Sequence, residues 1–237
     1  MNLTITDAIK DVRIVLDDIL KDSDNDFEAD KDMEIEAALK RACRELLMEV
    51  PAEYLQPTVI RDVEDSTDPT PSQVKNTDGT GYVVLPTDYM RLVAFKLWSW
   101  AGVVRETIDP LSDEARQQVS RWTRGTPQKP KAMADVDQNG NKILRYWTAG
   151  MYNSPTASAL NSVYNHKIEY LSYVAEPVVA DATAEPSPTE KTITVALKEN
   201  MRDKIIYRAA GLFLVGKKET DYASTFFKLS TIAKTTE

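Results

Sequence analysis

The sequence contains few of the side chains on which most enzymes, metal sites and extracellular scaffolds depend. Among its 237 residues there is one cysteine, Cys43, and one histidine, His166. A single cysteine excludes an intramolecular disulfide and is typical of a protein assembled in a reducing cytoplasm. No apolar run approaches the roughly 20 residues that span a bilayer, and the N-terminus lacks a basic stretch followed by an apolar one. We therefore expect neither a membrane partner nor a signal peptide.

The reactive residues that are present form no recognisable catalytic or cofactor pattern. The 8 glycines fall in no phosphate-binding motif. Zinc would require His166 and Cys43 together with carboxylates at unsuitable positions. A Cys43–His166 nucleophile pair is the catalytic alternative. Cys43, however, lies on or beside the apolar stripe of a predicted helix, which indicates a small core residue, and His166 begins a predicted strand. The sequence therefore predicts no enzyme and no cofactor.

The formal net charge of −8 is concentrated in one stretch. Residues 17–36, here named the acidic segment, contain ten acidic residues and two lysines. The rest of the chain is balanced, so only this segment would repel DNA. Three of its aspartates occupy the first ligand positions of a calcium-binding loop: Asp22, Asp24 and Asp26. Phe27 and Met33 stand where such a loop needs glycine and glutamate, so a solvated acidic loop is predicted in place of a calcium site.

One basic cluster occupies the middle of the chain. It consists of Arg116, Arg121, Arg124, Lys129 and Lys131, with Trp122 inside it. Basic residues around an aromatic side chain can bind a nucleic-acid backbone and stack on a base, or contact a partner protein. In the alternative interpretation, the run that contains Trp122 ends a helix and packs this side chain on a sheet. The sequence leaves both interpretations open.

Helical periodicity marks both ends of the chain. The first predicted helix covers residues 6–20. The second ends near Val50 and carries an apolar stripe that begins at Met33. A loop rich in proline and small residues at 177–191 precedes two more helices, with Gly216 as the expected stop of the first one. Each end of the chain should therefore form a helix pair.

The middle of the chain has the period of two that is typical of strands. The predicted strands cover residues 58–63, 82–85, 92–104, 131–136, 142–147 and 166–174. Asn139-Gly140 is a strong hairpin signal, and Ser112 is the expected N-cap of a short helix that reaches Trp122. The predicted fold class is α+β, with N-terminal and C-terminal helix pairs around a central antiparallel β-sheet. Its segments, 1–56, 57–176 and 177–237, are expected to form one integrated domain.

Two runs resemble the head-to-tail connector proteins of tailed phages, most closely those of crAss-like phages. The first run, Leu85-Pro86-Thr87-Asp88-Tyr89-Met90-Arg91-Leu92-Val93, is similar to the family's strand, proline turn and Arg-Leu start of the next strand. The second, Arg121-Trp122-Thr123-Arg124-Gly125-Thr126-Pro127-Gln128-Lys129-Pro130, is similar to its arginine–glycine–proline segment. The hairpin, the next strand and the closing helix with Ala209-Ala210 follow in the same order. The acidic segment has no counterpart in the resemblance.

The resemblance implies a structural virion protein at the head–tail junction, assembled in the host bacterial cytoplasm. Such adaptors form a ring, typically of twelve subunits, under the portal protein. They extend the channel for packaged double-stranded DNA, help to retain the genome and bind the next tail or ring protein. In such a ring the acidic segment would face the channel and repel phosphates, with these residues as its candidates: Asp22, Asp24, Asp26, Glu28 and Asp30. Portal contacts are expected from the terminal helices and the loop 177–191.

Two other functions compete with this one. The first is a tail-side ring or tail-completion protein with the same architecture, which would not contact the portal. The second is an enzyme or a DNA-binding regulator. A regulator would need a basic recognition helix, and the best candidate, residues 197–215, mixes its basic residues with Glu199 and Asp203.

Overall fold

The computed structural model describes residues 1–19, 30–61, 73–75, 80–120, 122–147, 168–181 and 191–231. It contains helices and antiparallel sheets, which confirms the predicted α+β class. The strands form three small sheets, however, so the prediction of one central sheet is wrong. Within the described ranges, no helix combines the length and the apolar character needed to cross a membrane.

The elements are numbered in chain order. The helices are α1 Ile5–Ile19, α2 Asp30–Glu49, α3 Asp113–Gln117, α4 Arg202–Gly216 and α5 Thr220–Ser230. The strands are β1 Asn2–Thr4, β2 Thr58–Arg61, β3 Gln73–Lys75, β4 Thr80–Val84, β5 Tyr89–Leu97, β6 Lys131–Val136, β7 Lys142–Trp147, β8 Ile168–Ala175, β9 Val178–Asp181 and β10 Lys191–Thr194. Single turns of 3-10 helix lie at Ala52–Tyr54 and Glu199–Met201.

The chain divides into two compact units. The first combines Met1–Gln56 with Glu176–Glu237, and the second is Pro57–Ala175. In the first unit, β10 lies between β1 and β9 in an antiparallel sheet. Leu3 of β1 is opposite Ile193 of β10, and both side chains are buried. This sheet therefore joins the beginning of the chain to residues almost two hundred positions later.

The helices of the first unit bury one face each. The buried residues recur at helical spacing: Val12 and Leu16 on α1, Ile35, Leu39, Ala42 and Leu46 on α2, Ile205 and Ala209 on α4, Phe226 on α5. Such packing supplies most of a helix's stability. Gly211 lets α4 approach α5, because a Cβ there would lie 2.9 Å from Cε1 of Phe227. Met33 is exposed, so the stripe predicted to begin there begins at Ile35 instead.

The second unit contains the other two sheets, with strand orders β2-β8-β5 and β3-β4-β7-β6. Their core includes an aromatic cluster in which Phe95 and Trp100 meet edge to face, with ring centroids 5.2 Å apart. Tyr146 of β7 packs on the same indole at 5.9 Å. The predicted β6–β7 hairpin is confirmed, and Gly140 supplies the left-handed backbone at φ 84° that its turn requires.

Two predicted elements differ from the structure. Strand β5 ends at Leu97 and not near Val104. The chain turns there, and Val104 returns to exchange backbone hydrogen bonds of 2.8 and 3.0 Å with Phe95. The stretch 177–191, predicted as a loop, contains all of β9 and begins β10. Its strand character was hidden because the stretch is rich in proline and small residues, while pairing within the sheet is decided by tertiary context.

Candidate functional site

The basic cluster follows a short, well-capped helix in the second unit. The Ser112 hydroxyl accepts a hydrogen bond of 3.2 Å from the Ala115 N–H, which confirms the predicted N-cap of α3. The helix ends at Gln117, earlier than predicted. The backbone then continues in tight turns, in which the Arg124 N–H donates to the Ser120 carbonyl at 3.0 Å. Local hydrogen bonds therefore fix the path of this segment.

A buried glutamine holds the segment together from inside. The Oε1 atom of Gln118 accepts a hydrogen bond of 2.7 Å from the Gly125 N–H, and its Nε2 donates to the Glu114 carbonyl at 3.0 Å. Gly125 must remain small, since a Cβ there would lie 2.8 Å from the Lys131 backbone nitrogen. The Gln118 amide thus satisfies two backbone groups and links α3 to Gly125.

The run from Thr126 to Lys129 forms a closed turn. The Thr126 and Lys129 backbones exchange hydrogen bonds of 3.2 and 3.0 Å across Pro127 and Gln128. The Pro127 carbonyl also accepts a bond of 2.9 Å from the Ala101 N–H, which ties the turn to the end of β5. Proline pre-sets the backbone of such a turn. In the family resemblance, the segment that contains Pro127 therefore has a structural role: it holds this turn against the chain that follows β5.

Three large apolar side chains on this scaffold point into solvent. The exposed fractions are 86% for Leu111, 82% for Val119 and 74% for Trp122. We name these residues the apolar trio. The interpretation in which Trp122 packs on a sheet is therefore wrong. Large apolar side chains that stay exposed on one short stretch of chain can mark a surface that binds another protein. Aromatic side chains are also enriched at the energetic centres of such interfaces.

Two basic side chains of the cluster are neutralised by acidic residues of α3. Arg116 pairs with Asp113 at 3.2 Å, and Lys131 forms an ion pair with Glu114. An Nη atom of Arg124 lies 3.5 Å from the Val119 carbonyl, and Lys129 is exposed. The prediction for Arg121 lies outside the described residues. Because two of the described cations already have carboxylate partners, this surface suits a protein better than a polyphosphate backbone.

Much of the acidic segment falls outside the described residues, including Asp22, Asp24, Asp26 and Glu28. Asp30 begins α2, and only its backbone is described. The solvated acidic loop, expected in place of a calcium site, therefore stays a prediction. The expected position of the segment at the channel also stays a prediction. Farther along α2, the Asp32 carboxylate accepts a hydrogen bond from Arg13 of α1. This ion pair joins the two helices at the edge of the segment.

The described residues provide no metal-binding group and no reactive thiol. No three or more His, Cys, Asp or Glu side chains in that part of the chain are placed to hold a metal ion. Cys43 is buried in the core of the first unit, and burial raises the pKa of its thiol to about 12. The thiolate is therefore scarce at neutral pH, which disfavours its use as a nucleophile. His166 lies outside the described residues.

The first run of the family resemblance forms the corner between β4 and β5. The Tyr89 N–H donates to the Pro86 carbonyl at 3.0 Å, which closes the turn. The Tyr173 hydroxyl of β8 donates to the Asp88 carboxylate at 3.2 Å, and the rings of Tyr89 and Tyr173 lie 5.9 Å apart. Burial raises the pKa of Tyr173 to about 12, with a smaller contribution from Asp88. Asp88 and Tyr89 therefore brace the second unit.

The sequence was compared with protein-family models and with curated proteins. No family model matches it, and no curated protein matches it.

Proposed function

We propose that this chain is a structural protein of a tailed-phage particle that forms a ring adaptor between portal and tail. It extends the DNA channel and helps to retain the genome. The apolar trio is the observation that carries the proposal. Exposing Leu111, Val119 and Trp122 to water is unfavourable for an isolated protein and becomes favourable once a partner covers them. A protein that works by assembly needs such a surface.

The scaffold beneath the trio supports the same function. Gln118 and Gly125 hold the segment rigidly, so that little conformational entropy is lost when a partner binds. The Asp88–Tyr173 contact and the Thr126–Lys129 turn give structural roles to the two runs that resemble connector proteins. These residues position a surface, which is the work expected of a structural adaptor.

The proposed partners are the portal protein, neighbouring copies in a ring of twelve, the next tail or ring protein, and the DNA that passes through the lumen. The location is the head–tail junction of the virion, after assembly in the host cytoplasm. The acidic segment is proposed to face the channel, where its negative charge would let DNA slide. A ring requires a heterologous contact, in which two different surfaces of the same chain meet.

A light-scattering mass of the portal ring of the same virus, with and without this protein, tests the proposal. We expect a mass gain that approaches one copy for each portal subunit. The Trp122→Ala variant should reduce the gain, because the exposed indole is lost. Val136→Ala, which alters an exposed valine on β6, is the matched control and should bind normally.

An unchanged mass with folded protein and intact portal would contradict the portal adaptor. In that case, the same measurement on tail components tests the alternative, a tail-side ring or tail-completion protein that does not contact the portal.

A further inference from the structure

The turn of the β6–β7 hairpin contains the pair Asn139-Gly140, and both residues are exposed. In such a pair the backbone nitrogen of glycine can attack the side-chain amide of asparagine, because glycine has no Cβ to obstruct the approach. The pair is therefore a candidate for spontaneous deamidation, a covalent change that asparagine undergoes without an enzyme. The geometry of the turn decides whether the reaction proceeds in the folded chain.

The reaction exchanges one bond to nitrogen for another. The Gly140 nitrogen forms a bond to Cγ of Asn139, the bond between Cγ and Nδ2 breaks, and ammonia leaves with the proton of the Gly140 N–H. Water then opens the cyclic imide at one of its two carbonyl carbons. The product at position 139 is either aspartate or isoaspartate, and isoaspartate places one additional atom in the backbone.

The hydrogen bonds and backbone angles define the type of this turn. The Gly140 N–H donates a hydrogen bond of 3.1 Å to the Asp137 carbonyl, which closes a β-turn with Gln138 and Asn139 in its centre. Among the described residues, positive φ occurs at Gly140 and Lys218 alone. Turns of types II, I′ and II′ each need a positive φ at a central residue, so this turn is type I. Gly140 follows it at φ 84°, which is typical of a three-residue hairpin loop.

A type I turn keeps the two reacting atoms apart. Its second central residue, here Asn139, has a ψ of about 0°. The Gly140 nitrogen then eclipses the backbone nitrogen of Asn139 and is turned away from the Asn139 side chain. The N–H proton that must leave in the reaction is also held by the Asp137 carbonyl. The attack therefore requires the turn to open first.

The Asp137 carboxylate holds the turn closed. Its Oδ1 atom accepts hydrogen bonds of 2.8 Å from the backbone N–H groups of Asn139 and Asn141, and its Oδ2 atom accepts one of 2.9 Å from the Asn141 side chain. The hydrogen bonds from Asn141, with a smaller contribution from Asn139, lower the pKa of Asp137, so the carboxylate is charged at neutral pH. Hydrogen bonds to a charged acceptor are stronger than those between neutral groups.

We infer that Asn139 is a deamidation site that the Asp137 carboxylate protects in the folded hairpin. The reaction proceeds from the open turn, so its rate follows the fraction of time for which the turn is open. Loss of the charged acceptor should raise that fraction about tenfold. Isoaspartate at position 139 would lengthen the three-residue loop by one backbone atom, so that a chain modified while open no longer closes the same turn. The inference involves no partner and is independent of the proposed ring.

Mass spectrometry of the peptide that contains Asn139 tests the inference. The full chain is incubated at neutral pH, in buffer and in denaturant, and samples are digested at intervals under mildly acidic conditions. Deamidation raises the mass of the peptide because an amide becomes a carboxyl group, and chromatography separates aspartate from isoaspartate. We expect a slow reaction in the folded chain and a reaction that is at least severalfold faster in the unfolded chain.

Variants of the turn locate the protection. Asp137→Ala should speed the reaction of the folded chain about tenfold and leave the rate in denaturant unchanged. Gln138→Ala is the matched control, because it alters an exposed side chain of the same turn and should react like the original chain. Asn139→Gln should abolish the mass change in this peptide, which assigns the reaction to Asn139. Circular dichroism checks that each variant is folded.

Three outcomes would overturn the inference. Equal rates for the original chain in buffer and in denaturant would show that the turn gives no protection. A folded Asp137→Ala protein that reacts at the original rate would show that the carboxylate is not its source. An increase for Asp137→Ala that also appears in denaturant would be an effect of the local sequence and not of the fold. If Asp137→Ala does not fold, Asp137→Ser keeps a neutral acceptor and should react at an intermediate rate, and an unchanged rate would again reject the role of the carboxylate.

Discussion

Arg208 of α4 and Glu49 at the end of α2 form a two-point ion pair, with Nη–Oε distances of 3.1 and 2.6 Å. The same guanidinium reaches Glu45 at 3.3 Å, and its Nε donates to the Ser230 hydroxyl at 3.0 Å. The guanidinium carbon also lies 5.7 Å from the centre of the Phe227 ring. One side chain therefore ties α2, α4 and α5 together, and its planar fork cannot be reproduced by lysine.

Replacing Arg208 with alanine should destabilise the first unit by about 1–3 kcal/mol, because the buried Ser230 hydroxyl and the partly buried Glu45 carboxylate lose a donor. Arg208→Lys should recover only part of this loss. Thermal unfolding followed by circular dichroism measures the effect. Arg202→Ala is the control on the same helix, since its ion pair with Asp11 is exposed and should be worth about 0–1 kcal/mol. Equal losses for both alanine variants would contradict the proposed role of Arg208.

The close approach of α4 and α5 at Gly211 predicts a steric effect. Gly211→Val should lower stability by roughly 1–3 kcal/mol, because the added atoms meet the Phe227 ring. Gly216→Ala provides the contrast at the end of α4, where a Cβ has nothing within 4 Å. That change should stabilise the chain slightly by restricting the unfolded state. Thermal midpoints of both variants check the prediction, and an unaffected Gly211→Val protein would refute it.

The second unit should lose stability at alkaline pH. Burial raises the pKa of both Tyr89 and Tyr173 to about 12, above the value of about 10 in an unfolded chain. The unfolded state therefore ionises first, and the stabilisation present below about pH 10 is lost as pH rises towards 12. Burial also raises the pKa of the Cys43 thiol to about 12, so the first unit should likewise lose stability as pH rises.

Thermal midpoints between pH 8 and 12 measure this loss. Tyr173→Phe should flatten the decline above about pH 10, because one of the groups that ionise is removed. It should also lower stability at neutral pH, since the hydrogen bond to Asp88 is lost. A decline of unchanged steepness in Tyr173→Phe would show that other groups cause it.

The hydrogen bonds of Gln118 fix the backbone of the segment that carries Val119 and Trp122. Its loss should therefore affect both stability and assembly. Gln118→Ala leaves the Gly125 N–H without its buried acceptor, which should cost about 1–3 kcal/mol. The loosened segment should also reduce the mass gain on the portal ring. Gln128→Ala removes an exposed glutamine from the same segment and should change neither property. If the destabilised Gln118→Ala protein still bound the portal normally, the hydrogen bonds of Gln118 would not be needed for docking.

Elements defined by local signals could be predicted from the sequence. The β6–β7 hairpin follows from Asn139-Gly140, and the structure adds that the Asp137 carboxylate accepts hydrogen bonds of 2.8 Å from the Asn139 and Asn141 N–H groups. Ser112 was likewise identifiable as a cap, because capping depends on residues three positions apart. The four main helices could be predicted from the spacing of their buried residues.

Non-local pairing explains most of what was missed. Strand β1 has only three residues and pairs with the distant β10, so no local sequence pattern predicts it. The basic cluster around Trp122 was predicted, but Gln118 and Val119 within it were missed for another reason. Gln118 is buried and Val119 is exposed, the reverse of what polarity predicts. This inversion is stable because the Gln118 amide satisfies two backbone groups, and only the folded geometry shows those partners.

The division of the first unit between the two ends of the chain constrains its synthesis. Residues 57–175 leave the ribosome as one uninterrupted stretch, and every strand partner of their sheets is then present. Strand β1 and helices α1 and α2 emerge earlier, but must wait for β10 and α4 before their faces are covered. Domains fold as units during translation. The second unit can therefore fold first, while α1 and α2 keep part of their apolar faces uncovered until β10 and α4 are made.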